Sequence, residues 1–93
     1  MEFEWDDKKA ESNFAKHGIL FEEAIEIFYD EDRLIEEDNR FDYGENRYKT
    51  LGKISQRVFI VIYVEKHENL IRIISARKAN KREVRKWQLL QKN

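Results

Sequence analysis

Basic residues gather where a predicted strand meets a predicted helix, and their side chains suit phosphate binding. Arg77, Lys78, Lys81 and Arg82 form this junction, and Arg85 follows on the helix. Cations on rigid elements that face solvent can hold a phosphate, and an arginine fork reaches two phosphate oxygens at once. The same pattern is also typical of a solvated basic helix beside an ordinary strand, so both interpretations stay open.

Three arginines lie on or beside predicted strands, namely Arg47, Arg72 and Arg77. RNA cleavage through the 2′-hydroxyl needs cations that stabilise the crowded phosphorane, a base for the hydroxyl proton and an acid for the departing oxygen. The three arginines are candidates for the first task. Arg72 and Arg77 have opposite parity in a regular strand, so they share a face only if the strand bends or ends near Ser75.

The candidates for the catalytic acid and base are Glu45, Lys49 and His17. Glu45 lies two residues before Arg47, which would keep the carboxylate ionised, and Lys49 has the same strand parity as Arg47. His17 ends a predicted helix, where the helix dipole favours the imidazolium form. Each has a structural alternative: an ion-paired loop carboxylate, a solvated lysine and a capping or packed histidine.

Other kinds of chemistry find little support in the sequence. Cysteine is absent, and the two histidines are fifty residues apart with no second ligand at helical spacing, so no metal site is predicted. There is no Gly-x-Ser-x-Gly elbow and no glycine-rich nucleotide loop. We therefore expect no cofactor.

The net charge of −1 conceals a strong asymmetry between the two halves of the chain. Residues 1–45 contain sixteen acidic and five basic residues, whereas residues 46–93 contain three acidic and thirteen basic residues. This asymmetry points to an anionic partner for the second half. Alternatively, the acidic half neutralises the basic half within one fold.

Length and hydropathy indicate one small domain over residues 1–93. The absence of cysteine suits a reducing cytoplasm, and the acidic N-terminus has the wrong sign for a signal peptide. The longest apolar run, 58–64, is far too short to span a membrane. We therefore expect a cytoplasmic protein that does not bind membranes.

The residue pattern predicts the element order β-α-α-β-β-β-β-α. The first strand, near 3–5, is expected at a sheet edge, a helix follows from Asp6 or Asp7 to His17 with Gly18 as its stop, and a second helix covers 21–29. Segment 33–37 is a short strand, 38–46 a polar loop, 47–54 a strand with a turn or bulge near Gly52, and 58–64 a central strand. A turn at 65–69 precedes a strand from 70 to 76, and Asn80 with Glu83 starts the last helix.

This order predicts an α+β fold. The antiparallel sheet should have about four to five strands, with two N-terminal helices and one C-terminal helix.

Five short blocks spread along nearly the whole chain have the residue types and order of a known toxin family. They are FEWD at 3–6, N…KHGI at 13–19, FEEA at 21–24, GENR at 44–47 with Gly52 after it, and RIISARKA at 72–79 followed by Glu83. Together they resemble the BrnT toxin family. Trp87 stands where that family more often has tyrosine.

The resemblance implies a RelE-like fold and a toxin of a type II toxin–antitoxin system. It implies metal-independent RNA cleavage that stalls translation. The implied partner is a BrnA-like antitoxin whose ribbon-helix-helix part binds operator DNA, so that the toxin reaches the operator only through the antitoxin.

The primary hypothesis is therefore a ribonuclease that acts through Arg77, Arg47 and Arg72, assisted by Glu45, Lys49 or His17, with Lys78, Lys81, Arg82 and Arg85 as RNA contacts. One alternative is a non-catalytic basic module that binds nucleic acid or an acidic partner protein. A purely structural partner protein is a third possibility.

Overall fold

The computed structural model describes residues 1–39 and 44–91. The predicted loop at 38–46 lies partly outside these residues. In chain order the elements are β1 (Glu2–Glu4), α1 (Asp7–His17), α2 (Phe21–Ala24), a 3₁₀ helix (Ile25–Tyr29), β2 (Leu34–Glu37), β3 (Arg47–Ile54), β4 (Arg57–His67), β5 (Leu70–Lys78) and α3 (Lys81–Leu89).

α1 begins and ends where the sequence predicts, and α3 begins where it predicts. The Asp6 side chain accepts a hydrogen bond from the backbone N–H of Lys9 at the start of α1, and Gly18 ends this helix with φ at 71°. At the start of α3, the Asn80 side chain accepts from the Glu83 N–H while the Glu83 carboxylate accepts from the Asn80 N–H. This reciprocal arrangement is a capping box.

The predicted second helix is divided into two kinds of helix. Its first turn is α2, and the chain then tightens into the 3₁₀ helix. With three residues per turn, Ile27 falls on the same side as Ala24, and both are fully buried. Ile25, the residue between them that begins the 3₁₀ helix, is only half-buried.

The five strands form one sheet in the order β1-β5-β4-β3-β2. The pairs β2–β3, β3–β4 and β4–β5 are antiparallel, as predicted. β1 lies at the sheet edge, also as predicted, but it pairs with β5 in the parallel direction, which makes the sheet mixed. Residues 58–64 of the central strand β4 are all buried.

The prediction of a turn or bulge near Gly52 is wrong. β3 pairs with β4 in unbroken register through Gly52 to Ile54, and the chain turns at Ser55 and Gln56, which have φ of 50° and 71°. Gly52 is needed for a close approach instead, because an added Cβ would lie 2.9 Å from Arg33 Cβ and from Ile27 Cγ1.

The sheet is covered on both faces. α1, α2 and the 3₁₀ helix pack on one face, over a core that includes Phe21, Val61, Tyr63 and Ile73. α3 lies on the opposite face, where Trp87 packs against the smaller cluster of Leu51, Ile60 and Ile62. Within the described residues, none of the helices combines the length and hydrophobicity that a membrane span requires.

Candidate active site

Two arginines on different strands lie in one row across the sheet. Arg47 of β3 and Arg72 of β5 are both paired with Val64 of β4, one on each side. Directly opposed residues project to the same face, and neighbouring strands are about 4.8 Å apart, so the two Cα atoms are separated by roughly 10 Å. The two guanidinium groups therefore extend from backbone positions that flank a single buried valine.

A β-bulge brings Arg77 to this same face. Ile62 lies opposite Ser75 and Tyr63 opposite Ile73, so Ile74 is an extra residue in β5. Arg77 is paired with Ile60, which is four residues from Val64 on β4 and projects to the same side. Arg72 and Arg77 would project to opposite faces of a regular strand, but the extra residue places them on the same face.

We call the surface formed by Arg47, Lys49, Arg72 and Arg77 the arginine face. Lys49 belongs to it because it lies two residues after Arg47 on β3, and residues two apart in a strand project to the same face. Three of its cations form ion pairs with glutamates: Arg47 Nε–Glu45 Oε2 at 3.2 Å, Lys49 Nζ–Glu36 Oε1 at 3.6 Å and Arg72 Nη1–Glu4 Oε2 at 3.5 Å.

These ion pairs are partly exposed, and such pairs contribute little to stability. A phosphate can therefore compete for the cations. Glu4, Glu36 and Glu45 all come from the acidic half of the chain, residues 1–45. The acidic half does neutralise part of the basic half, which was the second interpretation of the charge asymmetry.

Arg77 is held by a bidentate ion pair. Its Nη1 and Nη2 donate to the two carboxylate oxygens of Glu83 at 2.9 and 2.8 Å, and Nη1 also donates to the carbonyl oxygen of Lys78 at 3.2 Å. The hydrogen bonds from Arg77 hold the pKa of Glu83 at about 2, below its ordinary value of 4.5. Because Glu83 also closes the capping box, Arg77 anchors the start of α3 to the end of β5.

The far part of α3 is tied to β2 by a shared carboxylate. Glu36 accepts from Lys86 of α3 and is also paired with Lys49. The hydrogen bond from Lys86 is the main cause that lowers the pKa of Glu36. α3 therefore crosses the sheet from β5 to β2 and covers one end of the arginine face.

Trp87 fills the space between α3 and the sheet. The Nζ atom of Lys53 lies 5.4 Å from the centre of its ring, a cation–π distance. The indole Nε1 atom is buried and has no hydrogen-bond partner within 1–39 and 44–91.

His17 lies at the free edge of β5, beside the bulge. β1 pairs with residues Leu70 to Arg72 of β5, and α1 packs against β5 beyond that point. The Asn13 side chain donates to the Ala76 carbonyl at 2.8 Å and accepts from the Ala76 N–H at 3.1 Å, as a neighbouring strand would. His17 lines a cavity of about 210 Å³ together with Ile74 and Ser75, which lie between Arg72 and Arg77 in β5.

The predicted RNA-contacting residues are not part of the arginine face. Lys78 is paired with Phe59 and projects to the opposite side of the sheet from Arg77. Lys81, Arg82 and Arg85 are exposed on α3. Glu45 is exposed two residues before β3 and is paired with Arg47.

Several residues that shape the site were not found by sequence reasoning. Glu83 was recognised as a cap and as part of a family block, but not as the partner of Arg77. Glu36 was recognised only as part of a short strand. The other missed residues, Lys9, Ser12 and Lys16, line the cavity next to His17. Their spacing from His17 along α1 is helical, and this signal could have grouped them.

The described ranges contain no group of three or more His, Cys, Asp or Glu side chains arranged to hold a metal ion.

Comparison with solved structures finds the same fold in a bacterial toxin. The 1.1 Å crystal structure of the Brucella abortus ribonuclease toxin BrnT aligns with a TM-score of 0.66 at 24% sequence identity. The alignment covers 87% of this chain and 99% of that one. A search of curated proteins found no match.

The sequence profile of a protein family supplies the assignment. The profile described as "Ribonuclease toxin, BrnT, of type II toxin-antitoxin system" matches residues 5–83, which include Arg47, Arg72, Arg77 and Glu83. Since this match extends over most of the chain, the protein belongs to the BrnT family of type II toxin–antitoxin ribonuclease toxins.

Proposed function

We propose that the protein is a metal-independent endoribonuclease toxin, and that Arg47 and Arg72 hold the scissile phosphate of its RNA substrate. The row Arg47–Val64–Arg72 is the observation that carries this proposal. Two guanidinium groups fixed on neighbouring parts of a rigid sheet can stabilise the charge that develops on the phosphorane. Arg77, on the same face, is a third candidate for this task.

The acid and base candidates lie on different sides of the arginine pair. Glu45 is beside Arg47 on β3, whereas His17 is beside β5, two strands away. Attack by the 2′-hydroxyl and departure of the 5′-oxygen occur on opposite sides of the phosphorus atom, so a base and an acid on two sides suit the reaction. Lys49 is the third candidate. The exposed Lys78, Lys81, Arg82 and Arg85 are proposed to contact RNA away from the cleaved bond.

The family description also supports a proposal about the biological setting. We propose that RNA cleavage by this toxin inhibits translation in the cytoplasm, without a cofactor. A BrnA-like antitoxin with a ribbon-helix-helix part is proposed to neutralise the toxin and to connect it with operator DNA. The membership in a type II toxin–antitoxin family supports this proposal.

The decisive experiment is incubation of purified, antitoxin-free protein with a defined RNA in excess EDTA. We expect cleavage by the wild type and a loss of about 10²–10³-fold in kcat for Arg47→Ala and Arg72→Ala, the effect of removing one stabilising donor. Arg57→Ala, an exposed arginine at the start of β4, is the matched control and should cleave like the wild type.

Undiminished cleavage by both variants would contradict the assigned roles. Binding of RNA that weakens with salt, without any cleavage and without translation arrest in an extract, would favour the non-catalytic binding module.

A further inference from the structure

We propose that the cavity at the free edge of β5 is a second phosphate subsite for the RNA strand, and this inference rests on the proposed ribonuclease function. We call it the edge cavity. Its volume is about 210 Å³. α1 contributes Lys9, Ser12, Asn13, Lys16 and His17 to its lining, and β5 contributes Ile74 and Ser75.

The charge of the edge cavity is unusual for its part of the chain. Residues 1–45 hold sixteen acidic residues and only five basic ones, yet two of those five, Lys9 and Lys16, line the cavity. As far as the structure describes the chain, the lining contains no carboxylate. Within the described part of the acidic half, these two lysines thus lie where that half meets the arginine-bearing strand β5.

The lining side chains are carried by rigid elements. The five residues from α1 recur at helical spacing and therefore lie on one stripe of the helix. The two hydrogen bonds between Asn13 and the Ala76 backbone hold this stripe against β5. A pocket fixed in this way needs little reordering when an anion binds.

The edge cavity also contains hydroxyl groups that can donate to a phosphate oxygen. Ser12 and Ser75 provide them, and neither hydroxyl is hydrogen-bonded to any residue in the described part of the chain. Together with the ammonium groups of Lys9 and Lys16, they form a set of donors suited to a phosphodiester.

The position of the edge cavity relates it to the proposed reaction. Ile74 and Ser75 belong to the bulge region of β5, between Arg72 and Arg77. A single RNA strand that crosses the edge of β5 can therefore place one phosphate in the edge cavity and another on the arginine face. In this arrangement Lys9 and Lys16 bind and orient the strand, and they do not contact the cleaved bond.

The test compares two double variants that remove the same charge. Lys9→Gln/Lys16→Gln changes the edge cavity, and Lys8→Gln/Lys66→Gln removes two exposed lysines that do not line it. The probe is a short, fluorescently labelled single-stranded RNA with methylated 2′-hydroxyls, which the proposed reaction cannot cleave. Its affinity is measured over a series of salt concentrations, and thermal unfolding checks that each variant is folded.

We expect the edge-cavity variant to bind the probe about tenfold more weakly, with a salt slope that is shallower by about 0.7, the value for one lost phosphate contact to a single strand. On cleavable RNA its KM should rise by a similar factor with little change in kcat. The control variant should keep the wild-type slope and KM.

Equal affinity, slope and KM for the two double variants would overturn the subsite while leaving the ribonuclease proposal intact. Wild-type protein that neither binds nor cleaves RNA would overturn the proposed function, and the subsite with it.

Discussion

Arg77 and Glu83 are joined by two parallel hydrogen bonds of 2.9 and 2.8 Å between a guanidinium fork and a carboxylate. This pair links the end of β5 to the first turn of α3, and its Arg77 side chain also belongs to the arginine face. The same arginine is therefore a structural anchor and a candidate for phosphate binding. Experiments on Arg77 must separate these two roles.

The first prediction separates the two roles with a pair of variants. Arg77→Ala and Glu83→Ala each break the anchor of α3, and we expect each to lower the free energy of unfolding by about 1.5–3 kcal/mol, because a hydrogen bond to a charged group is lost. Only Arg77→Ala removes the cation from the arginine face. RNA cleavage should therefore be lost in Arg77→Ala and largely kept in Glu83→Ala. Equal activities at equal stability would indicate that Arg77 acts only as an anchor.

The second prediction concerns the pH dependence of stability. The folded-state pKa of Glu83 is about 2, below its ordinary 4.5, so ionised Glu83 stabilises the fold above about pH 4.5 and this contribution is lost as the pH falls toward 2. The stability difference between wild type and Glu83→Gln should thus shrink over this range. Urea unfolding at several pH values measures it, with the exposed Glu11→Gln as control. A difference that is constant from pH 6 to about pH 2 would contradict the assigned role.

The third prediction concerns the buried Asn13, which pairs with the open edge of β5. Asn13→Leu removes both hydrogen bonds to Ala76. The buried backbone N–H and carbonyl groups of Ala76 then lack the Asn13 side chain as their partner. We expect a loss of about 2–4 kcal/mol in the free energy of unfolding. Glu11→Ala, an exposed substitution on the same helix, should change it by less than about 0.5 kcal/mol. Near-equal stabilities of the two variants would argue against the edge-capping role of Asn13.

The fourth prediction concerns the space around Gly52. In Gly52→Ala the new methyl group would lie 2.9 Å from Arg33 Cβ and Ile27 Cγ1 and 3.0 Å from the Asp30 carboxylate, so the neighbouring segment must shift. We expect destabilisation by about 1–3 kcal/mol. Gly18→Ala meets no atom within 4 Å but has a positive φ, and it should be destabilised by about 1 kcal/mol for a conformational reason. Chemical denaturation of both variants tests this, and a Gly52→Ala midpoint equal to that of the wild type would refute the steric explanation.

The sequence by itself determined the features whose causes lie within a few residues of one another. Asp6 and Gly18 delimit α1, and Asn80 with Glu83 begins α3, because caps act over a single turn. The run at 58–64 identified the central strand, because burial on both faces requires apolar residues throughout. The residue blocks also indicated the family, and the charge and predicted strand positions of Arg47, Arg72 and Arg77 indicated the candidate arginines.

Only the tertiary structure decided which distant residues meet. The sequence left open whether Arg72 and Arg77 share a face, and the extra residue Ile74 settles this through the register between β4 and β5. Likewise, no local signal distinguishes a glycine at a bulge from Gly52, which permits close packing against the 3₁₀ helix and the segment after it. The parallel pairing of β1 and the edge cavity depend on long-range packing, because strand register is set by the combined burial of many side chains.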